Sequence, residues 1–258
     1  MKKAMLILLS PAKTLKFTPA DYSVAVDIPV FLDLSTILVD RVRELDIDDI
    51  AQLMSISPAL SRLNFERFHQ WSLPFTKDNA TPALWTFMGD VYEGMNAASF
   101  SKADALFAQS SVRILSGLYG VLHPFDLMQP YRLEMGSKLR VGDKPNLYRY
   151  WERLIANYLV DELDGQPSKV IINLASQEYF KAVESIVGQV RVITPSFYEA
   201  ASGKPRIVAI HAKRARGLMT RFIVTEQITD PEHLKGFSSE GYCFSEPLSK
   251  GDRWAFIR

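Results

Sequence analysis

The stretch Ala4-Met5-Leu6-Ile7-Leu8-Leu9, followed at once by Ser10-Pro11-Ala12-Lys13-Thr14, sets the fold class. An apolar run without polar alternation is the pattern of a strand buried on both faces, as in the centre of a sheet that helices cover. Lys169–Leu174 is a second β-rich apolar run. Between and around these, strand patterns at Ala83–Phe87, Val112–Leu115, Val190–Thr194, Arg206–Ile210, Tyr242–Phe244 and Trp254–Ile257 are interspersed with helical ones. The helices are Phe31–Leu45, Asp48–Met54, Pro58–Trp71, Ser101–Gln109, Asn146–Leu163, Ser176–Ile186 and His211–Gln227. Strands alternating with helices indicate an α/β fold, and the strand pairs late in the chain make the sheet mixed rather than purely parallel. No repeat, low-complexity tract or linker divides the sequence. Residues 1–258 read as a single α/β domain with a mixed central sheet flanked by helices.

A chain of 258 residues is long enough to bury a sizeable core, and 47% hydrophobic against 23% charged residues is an ordinary globular balance. Thirty Lys and Arg against 29 Asp and Glu leave a formal charge of +1, so any signal for a polyanion must be local. The two lysines ahead of Ala4–Leu9 introduce an apolar run too short for a signal peptide, and no stretch approaches the roughly 20 apolar residues of a membrane span. A cytoplasmic protein without membrane contact is expected. The lone Cys243 excludes an internal disulfide and reads as a small buried residue on the strand Gly241–Phe244. His69, His123, His211 and His233 show no spacing that places two imidazoles on one metal. No metal, no cofactor and a monomer are expected.

Two segments concentrate positive charge or anion-binding backbone. From Glu199 to Glu226 there is no acid, yet Lys204, Arg206, Lys213, Arg214, Arg216 and Arg221 fall there. On a helical wheel Ala212, Ala215, Leu218, Met219, Phe222 and Ile223 gather on one side, with Lys213, Arg214, Gly217, Thr220 and Arg221 opposite and Arg216 flanking. The row reads either as a solvated face or as a surface that tracks phosphates. Asp48–Trp71 has the layout of a helix-hairpin-helix, with Ser57 as N-cap and Pro58 at the first helical position. In such a motif the turn and the second helix N-terminus offer N–H groups to a phosphate, here with Arg62 and Arg67 beyond it. Serines replace the glycines usual in the turn, which restricts positive φ.

Ser10-x-x-Lys13 suggests a serine nucleophile, but the companion S-D-N and K-T-G elements are missing and the motif follows a strand. Lys13 at a strand's carboxyl end suits anion binding better, with Asn173, Gln177 and Glu178 framing a polar pocket beside it. No nucleotide-binding glycine loop occurs. An enzyme acting on a nucleic acid or nucleotide, with Lys13 and Glu178 as acid–base pair, is the alternative to a binding protein with no catalytic residues.

Five segments taken together resemble the YaaA peroxide-stress family: Leu9–Thr14, Leu115–Gly120, the run Pro130-Tyr131-Arg132-Leu133-Glu134-Met135-Gly136, Asn173–Tyr179 and the His211–Arg221 helix. The resemblance implies a cytoplasmic, non-enzymatic protein of the response to hydrogen peroxide that limits damage linked to unincorporated iron. It also implies binding of double-stranded DNA through a basic cleft and a helix-hairpin-helix element at 48–71. The contact residues expected are Lys13, Ser57, Arg62, Arg67, Arg132, Lys138, Lys213, Arg214, Arg216 and Arg221. No ligand cluster for iron is present, so an indirect effect on iron is expected.

Overall fold

The computed structural model describes residues 5–17, 24–164, 169–200 and 203–258. The expectations that rest on Lys2, Lys3, Ala4 and residues 165–168 lie outside them. The described residues form a central sheet of seven strands: β1 (Leu6–Leu9), β2 (Val112–Ser116), β3 (Gly120–Leu122), β4 (Val170–Asn173), β5 (Arg191–Tyr198), β6 (Cys243–Lys250) and β7 (Arg253–Ile257). Their spatial order is β6-β7-β5-β4-β1-β2-β3. β1 runs parallel to β2 and β4, β4 to β5, and β5 to β7, while β2–β3 and β6–β7 pair antiparallel. The sheet is therefore mixed, with antiparallel hairpins at both edges of a parallel centre.

Every residue of β1 and β4 is buried, as the apolar run in each requires, with only Asn173 at the end of β4 polar. The chain runs outward from β1 to β2 and β3, then returns to β4 on the other side of β1. That reversal leaves a crevice at the carboxyl ends of β1 and β4, the usual place for a ligand in an open α/β sheet.

Five helices recur below: α1 (Leu32–Arg43), α2 (Ile47–Met54), α3 (Pro58–Gln70), α4 (Asp90–Met95) and α5 (Ala209–Thr225). Several elements differ from the sequence pattern. Ala83–Thr86 is a helical turn rather than a strand, closed by the Thr86 hydroxyl donating to the Pro82 carbonyl at 2.8 Å. Arg206–Ile210 is not a strand: only Arg206 forms an isolated bridge, to Glu199, because β7 already occupies the edge of β5, and α5 begins at Ala209. The helix expected over Asn146–Leu163 is broken into Leu147–Trp151 and Leu154–Leu163 at Glu152, whose φ is +37°. Ser176–Ile186 becomes one α-helical turn, Gln177–Phe180, followed by a 3₁₀ segment, Lys181–Ile186. Cys243 is exposed, since it opens the outermost strand, β6, where nothing covers it. Pro247 and a register shift between Ser245 and Lys250 blunt that edge against further strand pairing.

Candidate functional site

Four of the singled-out segments meet at the carboxyl edge of β1, β2 and β4. The Ser10 hydroxyl oxygen accepts the Ser176 N–H at 2.8 Å, and the Leu174 N–H donates to the Leu8 carbonyl at 3.0 Å, clamping the loop after β1 to the loop after β4. Tyr92 of α4 donates its hydroxyl to the Ser10 carbonyl at 2.9 Å. At the end of β2, Ser116 Oγ accepts the Tyr119 N–H at 2.9 Å and shares a 2.7 Å hydrogen bond with the Tyr131 hydroxyl. A Cβ on Gly117 would lie 2.2 Å from the Leu133 carbonyl oxygen, so glycine there lets the Pro130–Gly136 run close onto β2. Glu178 then accepts the Gly136 N–H at 2.9 Å.

These contacts enclose a cavity of about 70 Å³ lined by Lys13, Tyr131, Arg132, Glu134, Glu178 and Tyr179. Glu134 Oε1 takes both Lys13 Nζ, at 3.1 Å, and Arg132 Nη2, at 2.9 Å. Arg132 Nε is buried with no hydrogen-bond partner among the described residues. Burial raises the Tyr131 and Tyr179 hydroxyls well above the ordinary phenol range, so both remain neutral hydrogen-bonding groups at physiological pH. Lys13 and Glu178 do line one cavity, but Lys13 pairs with Glu134 while Glu178 serves Gly136. Asn173 and Gln177, expected alongside them, line a second cavity of about 840 Å³ with Thr194, Ser196 and Arg216.

The Asp48–Trp71 region folds as α2 and α3 joined by Ser55-Ile56-Ser57. Asp46 and Asp49 form a reciprocal capping box at the start of α2, and Ser57 caps α3 by accepting the Leu60 N–H at 3.5 Å. Ser55 takes the left-handed conformation, φ +51°, that a glycine would take more cheaply. The Ser61 hydroxyl donates to the Ile47 carbonyl and ties the two helices together. Arg62 is exposed, whereas Arg67 is half-buried, with its guanidinium pKa lowered by desolvation and Nη1 donating to Asn64 Oδ1 at 3.4 Å. A groove of about 580 Å³ separates this hairpin from the segment after Gly136, lined by Arg41, Asp49, Ser55, Lys138 and Arg140 among others. Lys138 and Arg140 are exposed.

The basic helix does not present a continuous cationic row. Gly217 and Thr220, which the helical wheel places on the polar side, are buried because α4 packs against that side. Arg221 turns inward, donating from Nη1 to the Met95 and Asn96 carbonyls at 3.2 and 3.3 Å and to Ser99 Oγ at 2.8 Å, which closes the C-terminal end of α4. Arg214 pairs with Glu240 at 2.7 Å, and Arg216 lines the larger cavity. Lys213 remains exposed. The sequence reading missed Arg41, Arg140, Thr194 and Ser196; only the polar alternation at Thr194 and Ser196, between Ile193, Pro195 and Phe197, signalled any of them.

Residues 5–248 match the family model described as peroxide stress protein YaaA. The chain belongs to the peroxide stress protein YaaA family. A UPF0246 protein of Bordetella petrii is 47% identical over 259 residues, covering 98% of this chain and 99% of its own. A UPF0246 protein of Aliivibrio fischeri strain ES114 is 48% identical over 255 residues, covering 98% of each. Four of the five segments that resemble the YaaA family build the strand-end site, and the fifth, α5, delivers Arg216 to the neighbouring cavity.

No group of three or more His, Cys, Asp or Glu among the described residues is arranged to hold a metal ion. No helix among them is long and apolar enough to cross a membrane.

Proposed function

We propose that the protein acts in the cytoplasm as a double-stranded DNA-binding protein of the peroxide-stress response, with the α2–α3 hairpin and the groove beside it as the contact face. Family membership supports the stress role. The observation that carries the binding reading is the exposed Ser55–Ser57 turn at the start of a 13-residue helix, beside a groove edged by Lys138 and Arg140. Pro58 has no N–H and Ser57 takes that of Leu60, so α3 offers one phosphate the Ala59 N–H and its dipole, and Arg62, Lys138 and Arg140 suit the neighbouring phosphates along a backbone. The exposed Lys13 adds positive charge at the strand-end site, though it and the largely buried Arg132 already share Glu134. Such contacts read charge and spacing rather than bases. DNA covered in this way is shielded from the oxidative damage that unincorporated iron causes.

A labelled duplex of mixed sequence, titrated while its fluorescence anisotropy is followed, tests the reading. Arg62→Ala is expected to weaken binding about fivefold without changing the unfolding midpoint, since an exposed charge–phosphate contact contributes about 1 kcal/mol and Arg62 adds little to the core. Equal affinity of variant and wild type would leave the hairpin a packing element. A second reading, an enzyme acting on a nucleic acid or nucleotide with Lys13 and Glu178 as acid and base, is favoured by one observation: Arg132, whose Nε has no partner among the described residues, lines the same cavity as both. Turnover of an oligonucleotide or nucleotide, abolished by Glu178→Gln, would establish that reading instead.

A further inference from the structure

The larger cavity shares no lining residue with the one around Lys13 and has a different composition. It opens beyond the carboxyl end of β4 and along β5, whose Thr194 and Ser196 stand half-exposed between the buried Ile193, Pro195 and Phe197. Its volume of about 840 Å³ is the size of a small-ligand site. Arg216 reaches it from α5 in a position set by close backbone packing: a Cβ on Gly217 would lie 1.8 Å from the Val91 carbonyl oxygen, and one on Gly94 2.3 Å from the Arg214 carbonyl oxygen. Neither helix can rotate or withdraw without losing that contact, so the half-buried guanidinium is held against the cavity.

Arg216 has no hydrogen-bond or ion-pair partner among the described residues. Desolvation lowers its pKa, yet a guanidinium stays protonated in a protein, and so an uncompensated charge is held partly out of water. Lys250 and Arg253 stand exposed at the rim. The carboxylate nearest in sequence to them, Asp252, is engaged by Arg191 at 2.8 Å, and Glu184 is the other acid on the wall. Positive charge is in excess, and the Ser196 hydroxyl has no partner among the described residues.

We infer that this cavity binds the phosphate group of a small phosphorylated ligand, with Arg216 as the charged fork, the Thr194 and Ser196 hydroxyls as further hydrogen-bonding groups, and Lys250 and Arg253 at the mouth. A planar guanidinium and two hydroxyls lining one cavity suit a tetrahedral dianion, and Asn173 brings to its wall the carboxyl end of β4, where open α/β sheets hold such ligands. The inference is independent of the duplex-binding reading, which rests on other residues.

Thermal unfolding of the full chain with millimolar inorganic pyrophosphate as the probe tests it. Wild type is expected to show a pyrophosphate-dependent rise in midpoint. Arg216→Met, of similar length without the charge, is expected to show none, while its midpoint without ligand equals or exceeds that of wild type because an unpaired, desolvated charge has been removed. Ser196→Ala is expected to bind pyrophosphate about fivefold more weakly, the loss of one hydrogen bond, and gives the same test should Arg216→Met not fold. Arg62→Ala should keep the full pyrophosphate shift, and Arg216→Met should keep wild-type affinity for duplex. No shift in wild type, an equal shift in both Arg216→Met and Ser196→Ala, or a loss of duplex affinity in Arg216→Met would overturn the inference, the last by assigning the cavity to DNA phosphates.

Discussion

Replacing Gly217 with alanine separates two physical pictures of α5 by the sign of one number. On a solvated helix face, Gly→Ala stabilises by about 1 kcal/mol because alanine loses less backbone entropy and favours the helix. Here the new Cβ would lie 1.8 Å from the Val91 carbonyl oxygen and 2.8 Å from the Met95 backbone nitrogen, where ordinary contacts begin at 3.4 Å. The obstacle is backbone, so no side chain can swing aside, and α4 and α5 must separate by more than an ångström. Overpacking of this kind costs up to about 3 kcal/mol, which outweighs the propensity gain and leaves a net loss of about 2 kcal/mol. Urea unfolding followed by tryptophan fluorescence measures it directly. Gly94→Ala strains the same interface from the other helix, so the double variant should lose less than the two single losses added together. A Gly217→Ala protein as stable as wild type, or more so, would refute the packed arrangement and restore a solvated face to α5.

Arg221→Gln is expected to cost about 1–2 kcal/mol through the lost hydrogen bonds to the end of α4 while leaving duplex affinity unchanged, as paired urea and anisotropy titrations would establish. Arg113, fully buried, forms a two-pronged pair with Glu162 at 2.6 and 2.7 Å, so Glu162→Gln should destabilise by about 3–5 kcal/mol in the same urea assay, far more than any surface pair could. Burial pushes the Asp126 carboxyl up to about 7, against the opposing pull of the His123 N–H and Arg113. The folded chain keeps that proton to about pH 7 while the unfolded chain releases it near 4, so this stabilisation is complete below about pH 4 and is lost as pH rises through 7. Asp126→Asn should therefore lose less stability than wild type between about pH 5 and 8, and identical losses would contradict the assignment.

The centre of the sheet was legible because Leu6–Leu9 and Val170–Asn173 are apolar at every position but the last of β4, and only a doubly covered strand needs that. The start of α3 was legible from capping chemistry at Ser57 and Pro58, while Ser55 before it adopts the left-handed backbone that the missing glycines had argued against. The second buried side of α5 was not legible. Gly217 and Thr220 count as polar on a helical wheel, yet their small size is what admits α4, and smallness carries no hydropathy signal. The strand pattern at Val190–Thr194 does not extend over Pro195, a residue rare in strand interiors, yet β5 runs on to Tyr198 and carries Ser196 on the same face as Thr194. The meeting of Ser10–Lys13 with Pro130–Gly136 and Asn173–Tyr179 follows from the order of β4, β1 and β2 in the sheet. Local sequence says little about that order.

The most direct test of the DNA-binding reading is the salt dependence of duplex affinity in a variant that carries Arg62→Ala, Lys138→Ala and Arg140→Ala together. Each phosphate contact contributes about 0.9 to the slope of log affinity against log salt. The triple variant is therefore expected to have a slope shallower by about two to three, an unchanged unfolding midpoint, and no preference among duplexes of different sequence. A slope identical to that of wild type, with folding preserved, would contradict DNA binding through the hairpin and its groove.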